Sequence, residues 1–228
     1  MSAVALQQDV EAGVERVRER IARACQRAGR DPGTVTLVAI SKGQPVEAIR
    51  AANAAGLRHF GENRIQEAVP KTEAAKATGV DATWHLVGHL QSNKAKAAAS
   101  AFDIIHSVDS LKLLARLDGA APAPRDVLLQ VNIAAEPQKQ GVAADEVAAL
   151  VEAAREAANL RLRGLMTIAP IAADPEDVRP VFHDLRELAE HFALTDLSMG
   201  MTDDFEVAIE EGATLVRVGR AIFGERTT

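Results

Sequence analysis

One rhythm constrains this chain more than any other feature. Eight short runs rich in Val, Ile and Leu recur between residues 35 and 219, separated by stretches with helix or turn character. The runs are VTLVAISK (35–42), LRHFGEN (57–63), TWHLVGH (83–89), FDIIHSV (102–108), DVLLQVNI (126–133), LRLRGLMTI (160–168), DLSMGM (196–201) and TLVRVG (214–219). Most are apolar on both faces, as strands of a parallel sheet covered on both sides must be. Between them, PVEAIRAANAAG closes on Gly56, DEVAALVEAAREAA begins with an acidic turn, and PEDVRPVFHDLRELAEHFA opens on Pro175, all helix signals. Eight β/α units with short connections predict an α/β fold, a single (βα)8 TIM-type barrel over 35–226. The alternative is an open doubly wound sheet. A sheet of that kind built for a dinucleotide would carry G-x-G-x-x-G after its first strand, and VAISKGQPVEA has none.

Ahead of the repeating part, Val10, Val14, Val17, Ile21, Cys25 and Ala28 follow one another at spacings of three or four. That is one apolar stripe, so an extra N-terminal helix is expected within 1–30, ending at Gly29 and Asp31-Pro32. A chain of 228 residues can bury one substantial core, and a single domain over 1–228 is expected. No apolar run approaches the roughly 20 residues of a membrane span. The N-terminus lacks the apolar core of a secretion signal, so a cytoplasmic protein is expected. The lone cysteine, Cys25, reads as a packing residue. The net charge of −6 carries no basic block, which argues against nucleic-acid binding and requires any phosphate ligand to be held locally.

In a barrel of this kind sites lie at the C-terminal ends of the strands, and phosphate is often held by the loops after strands seven and eight. The first run ends on Lys42. A lysine there can be an idle solvated residue. Partly desolvated in a barrel mouth, its neutral amine can instead form a Schiff base with a substrate carbonyl or with the aldehyde of pyridoxal phosphate. LSMGMTDD ends the seventh run with Ser198, Gly200 and Thr202, and TLVRVGRAIFG ends the eighth with Gly219. Together these loops could hold a phosphate through main-chain N–H groups and hydroxyls, on a cofactor or on a sugar phosphate. Arg217, between Val216 and Val218, is either salt-bridged to a neighbour or aimed into the mouth. An arginine facing a pyridine nitrogen keeps it unprotonated and weakens the ring as an electron sink.

The set VAISK, FGENRIQE (60–67), WHLVGHLQSNK (84–94), IHSVDS (105–110), QVNIAAEPQKQG (130–141), LRGLMTIAP (162–170), LSMGMTDDFEVAIEEGA (197–213) and VRVGRAIFG (216–224) closely resembles the pyridoxal phosphate homeostasis protein family. The resemblance implies an alanine-racemase-like barrel carrying pyridoxal 5'-phosphate on Lys42. It further implies Arg217 as partner of the pyridine nitrogen, and Ser198, Met201, Thr202, Gly219 and the backbone of Arg220 as the phosphate cradle. Asn63 would face the ring, and Lys139 resembles a family lysine near the mouth. Two places depart from the pattern. Gln44 stands where members often carry a second base, and Thr202 stands where many have serine.

His85 and His89 are four apart but straddle a strand end without a nearby acid or cysteine cluster, so hydrogen bonding in the mouth is expected and no metal is. Trp84 reads as packing, and the lysines of LQSNKAKAAAS could meet phosphate or water. Racemisation needs a base on each face of the substrate; related barrel racemases take one, a tyrosine, from an additional C-terminal domain. This chain has no tyrosine and ends at Thr228, without room for that domain. The expectation is therefore a carrier of pyridoxal phosphate, serving vitamin B6 homeostasis and cofactor supply to apoenzymes as a monomer, with little or no turnover. A low-activity amino-acid racemase, or a cofactor-free Schiff-base lyase on a phosphorylated substrate, is the competing reading.

Overall fold

The computed structural model describes residues 3–136 and 138–224. Residues 1, 2 and 137, together with the expected barrel limit at 226 and the terminus at 228, lie outside the described residues. The order is α1 (Ala3–Arg27), β1 (Thr36–Ile40), α2 (Val46–Ala54), β2 (His59–Glu62), α3 (Ile65–Ala77), β3 (Thr83–Leu86), α4 (Ala95–Ala101) and β4 (Ile104–Val108). There follow α5 (Leu111–Asp118), β5 (Arg125–Gln130), α6 (Val147–Glu156), β6 (Leu160–Met166), α7 (Arg179–His191), β7 (Asp196–Ser198), α8 (Phe205–Glu210), β8 (Leu215–Val218) and α9 (Arg220–Phe223). The strands close into one parallel barrel in sequence order, β8 pairing with β1 through Val38 opposite Arg217. The barrel was expected; the open sheet is not what forms.

The strands are shorter than the apolar runs. β1 stops at Ile40, and Lys42 lies in a turn closed by the Gln44 N–H donating to the Ser41 carbonyl at 3.0 Å. Gly43 supplies the positive φ of 72° that this turn uses. β6 likewise stops at Met166 and β7 at Ser198. After β6 and β7 apolar residues such as Ile168, Met199 and Met201 continue into the mouth loops past the end of the ladder.

Alternation along the strands divides the apolar residues into two layers. Ala39, Phe60, Trp84, Ile105, Leu129, Leu165 and Val216 face outward into one continuous core beneath the helices. Val38, Leu128, Met166 and Leu215 fill the lumen as a separate small cluster, with Ile40 and Ile104 against it. Trp84 packs on Phe60 with ring centroids 5.7 Å apart, the packing role expected of it.

α1 buries Val10, Val14, Val17, Ile21 and Cys25 as its spacing predicts. It lies so close to α9 that a Cβ on Gly13 would stand 2.4 Å from the Ile222 carbonyl oxygen, an approach only glycine allows. Its outer edge is tied to α8 by Arg20 to Glu206 at 3.2 Å and Arg27 to Glu210 at 2.6 Å. Among the described residues no helix is long and apolar enough to cross a membrane.

Candidate functional site

A cavity of about 550 Å³ opens at the C-terminal mouth. Of the residues expected at a site, Lys42, Asn63, Met201, Thr202, Arg217, Gly219 and Arg220 all line it, and Gln44 lies on the same wall. Strands one, two, seven and eight therefore bring their ends to one place, although these residues are as far as 178 positions apart in the chain.

The Lys42 turn is held from behind. Ser41 donates its hydroxyl to Glu62 Oε1 at 2.7 Å, while Lys71 Nζ, from α3, donates to the Ser41 carbonyl at 2.9 Å and to the same Glu62 oxygen at 2.8 Å. Glu62 and Ser41 are fully buried. A buried carboxylate is tolerable only when paired and hydrogen-bonded, and here its two donors both constrain the residue just before Lys42. Asn63 is located by β3: a Cβ on Gly88 would come within 2.2 Å of the Asn63 carbonyl oxygen.

Arg217 points inward, the second of the two alternatives left open for it. It is 4% exposed, donates from Nη1 to Ser198 Oγ at 2.6 Å and from Nη2 to the Thr167 carbonyl at 2.8 Å. Among the described residues it makes no ion pair. Burial lowers its pKa to about 10, against which Asp204 pulls upward, so at neutral pH it remains a cation and a pure donor. Asp204 itself accepts the Met201 N–H at 2.6 Å and shapes the loop after β7. Gly200 makes that loop possible: its φ is 88°, and a Cβ there would meet the Ala208 Cβ at 2.6 Å.

Two expected site residues stand elsewhere. The Ser198 side chain is buried below the cavity, with its hydroxyl between Arg217 Nη1 and His106 Nδ1 at 2.8 Å. It thus meets Arg217 and His106 and does not line the cavity. Lys139 is paired with Glu136, and its Nζ reaches the Ile168 carbonyl at 3.4 Å; it stands behind the rim and does not line the cavity. Arg220 turns its guanidinium to both oxygens of Asp203 at 2.7 Å.

The histidine expectation needs correction. His85 lies inside the barrel, not in the mouth, with its ring nitrogens 3.0 Å from His59 Nδ1 and 2.8 Å from His106 Nε2. Both nitrogens are thereby used. His89 is exposed, with Nδ1 3.7 Å from Asp109 Oδ2. His59, His106, Glu62, Lys71 and Ser41 were not anticipated from the sequence. The available signal was one histidine in each of three consecutive strands, in RHFGEN, TWHLVG and IIHSVD.

Residues 14–227 match the family described as the alanine racemase N-terminal domain. The pyridoxal phosphate homeostasis protein of Pseudomonas aeruginosa is 48% identical over 218 residues, covering 93% of this chain and 94% of that one. The protein of the same name from Escherichia coli K12 is 43% identical over 230 residues, covering 96% and 97%.

The chain belongs to the pyridoxal phosphate homeostasis protein family.

Within this homeostasis family, PipY of Synechococcus elongatus, solved with PLP bound, superposes with a TM-score of 0.78 at 40% identity, covering 91% of this chain and 100% of that one. Alanine racemase from Corynebacterium glutamicum shares only the fold, at 16% identity and a TM-score of 0.72 over 96% of this chain and 62% of that one.

Proposed function

We propose that this protein binds pyridoxal 5'-phosphate in the mouth cavity, with the Lys42 amine carrying the aldehyde as a Schiff base. Its role on this reading is intracellular homeostasis and supply of the cofactor to apoenzymes, as a monomer with little turnover of its own. The observation that carries the reading is that Lys42, Arg217 and the loops after β7 and β8 line one cavity. A primary amine, a buried guanidinium and a loop hydroxyl form a donor set that suits an aldehyde, a pyridine nitrogen and a phosphate respectively. The volume of about 550 Å³ falls within the roughly 300–1,000 Å³ usual for such ligands, and the name and structure of the relatives favour the same ligand.

When bound, the group supplies an aldehyde reactive toward amines and a ring able to withdraw electrons. Lys42 provides the attachment, with its turn fixed by Glu62 and Lys71. Thr202 and the main chain at Met201, Gly219 and Arg220 would hold the phosphate, and Asn63 would face the ring. Arg217 would donate toward the pyridine nitrogen and, as a cation held by two further acceptors, would keep its protons at neutral pH and leave that nitrogen unprotonated. That arrangement weakens the electron sink and supports holding over turnover. The low-turnover reading also fits the cavity wall, where Asp203 is engaged by Arg220, Gln44 has no basic group, and the chain offers no tyrosine.

The purified protein is expected to be yellow and to form no D-alanine from L-alanine beyond a trace. A colourless protein that takes up no added pyridoxal phosphate would overturn the binding reading. D-alanine accumulating at an ordinary enzymatic rate would overturn the carrier role.

A further inference from the structure

Five polar side chains form a single file through the barrel lumen. His59 Nδ1 lies 3.0 Å from His85 Nε2, His85 Nδ1 lies 2.8 Å from His106 Nε2, and His106 Nδ1 lies 2.8 Å from Ser198 Oγ. Ser198 Oγ in turn accepts the Arg217 Nη1–H at 2.6 Å. His85, His106 and Ser198 are fully buried. At one end Arg217 lines the mouth cavity. At the other, His59 lines a pocket of about 440 Å³ with Thr36 and Arg58, at the start of the strands.

Hydrogen-bond accounting gives the file a direction. Arg217 can only donate, so it uses a lone pair of Ser198 Oγ. The buried Ser198 proton still needs an acceptor, and among the described residues the hydroxyl's other contact is His106 Nδ1, which takes that role. His106 then carries its hydrogen on Nε2 and donates it to His85 Nδ1, and His85 donates from Nε2 to His59 Nδ1. All three rings are neutral in this arrangement, as their burial favours: desolvation, reinforced by neighbouring histidine, holds His85 at a pKa of about 3 and lowers His106 well below its ordinary value. Each lone pair faces the Arg217 cation and each N–H faces away. For a buried cation with no carboxylate in contact among the described residues, that alignment of dipoles is the favourable one.

We propose that His106, His85 and His59 are positioning residues for Arg217, a one-directional hydrogen-bond line that fixes its guanidinium beneath the cavity from the opposite end of the barrel. The consequence for the cofactor rests on the reading of the cavity given above, whereas the direction of the line does not.

Nitrogen NMR of the histidine rings in the cofactor-free protein at neutral pH tests the direction. His106 and His85 are expected with hydrogen on Nε2 and none on Nδ1; the reverse tautomer, or a doubly protonated ring, would overturn the proposal. The effect on Arg217 is read by titrating pyridoxal phosphate into two variants. His106→Leu removes the acceptor for Ser198 and is expected to move the absorption band and weaken retention about tenfold, the scale of one charge-assisted hydrogen bond. His106→Asn, whose carbonyl can take the Ser198 proton, is expected to restore both. Equal behaviour of the two variants, or a His106→Leu protein indistinguishable from the parent, would overturn it. If the parent protein binds no cofactor, the cavity reading fails while the tautomer measurement still decides the line.

Discussion

The two faces of the barrel wall are made from alternate residues of the same eight strands, yet they do different work. The outer face, with Phe60, Trp84, Ile105 and Val216, joins the helices in one continuous apolar core. The inner face carries four buried apolar residues and, among its polar groups, the file from His59 to Arg217. The outer layer is mostly apolar packing, with a polar exception at Glu62, which meets Lys71 of α3 and Ser41 behind the Lys42 turn. The lumen gives up apolar burial to hold a cation that no carboxylate among the described residues touches. Apart from that group, apolar packing and the polar file lie on opposite sides of the same strands.

Acid should separate the faces most strongly. Unfolded histidine takes a proton near pH 6.5, while folded His85 refuses one until about pH 3, and His106 is lowered in the same direction. Below pH 6.5 the unfolded chain therefore binds more protons, so stability is complete above that pH and falls as pH drops toward 3. Each ring contributes up to about 1.4 kcal/mol per pH unit. Urea unfolding at several pH values should show this loss, and a His85→Phe protein should lose less. An unchanged slope would mean that the lumen does not exclude the charge.

Truncating the outer layer should affect stability and spare the site. Phe182 on α7 is fully buried, and Phe182→Ala is expected to cost about 3–5 kcal/mol while leaving the absorption band of the bound cofactor in place. A shifted band would show that the two faces are not independent. Lys71→Met strands the buried Glu62 carboxylate and should cost about 3 kcal/mol. Because this pair also holds Ser41, the same variant should weaken cofactor retention, and Glu62→Gln combined with it should recover part of the stability. No recovery would mean the pair acts through packing alone. Arg217→Glu should move the band, since a carboxylate favours protonation of the ring nitrogen, and reduce retention by about tenfold. An unaltered spectrum would place Arg217 away from the ring.

The sequence made the outer face legible and the inner file nearly illegible. Phe60, Ile105 and Val216 announce themselves by being apolar at strand positions, and the α1 stripe from Val10 to Cys25 follows from helical spacing. Lys42 and Arg217 stood out because charge is unusual in apolar strands. The link between His59, His85 and His106 depends on the stagger between neighbouring strands, where His59 is opposite Thr83 and His85 is opposite Ile104. Nothing in one chain's order of residues specifies that stagger, so three strand histidines could not be joined beforehand. Ser198 was assigned to the phosphate for the same reason: its place next to Gly200 was visible, but its inward direction beneath Arg217 was not. Glu62 and Lys71 are nine residues apart and sit on a strand and a helix whose boundary had to be known before they could be paired.

The account depends above all on Lys42 as the point where the cofactor is held. Borohydride reduction of the purified protein loaded with pyridoxal phosphate, followed by peptide mass analysis, tests this most directly. The pyridoxyl group is expected on Lys42, with loss of the label in Lys42→Ala. A label found chiefly on Lys139 or Lys94, or retained in full by Lys42→Ala, would contradict it.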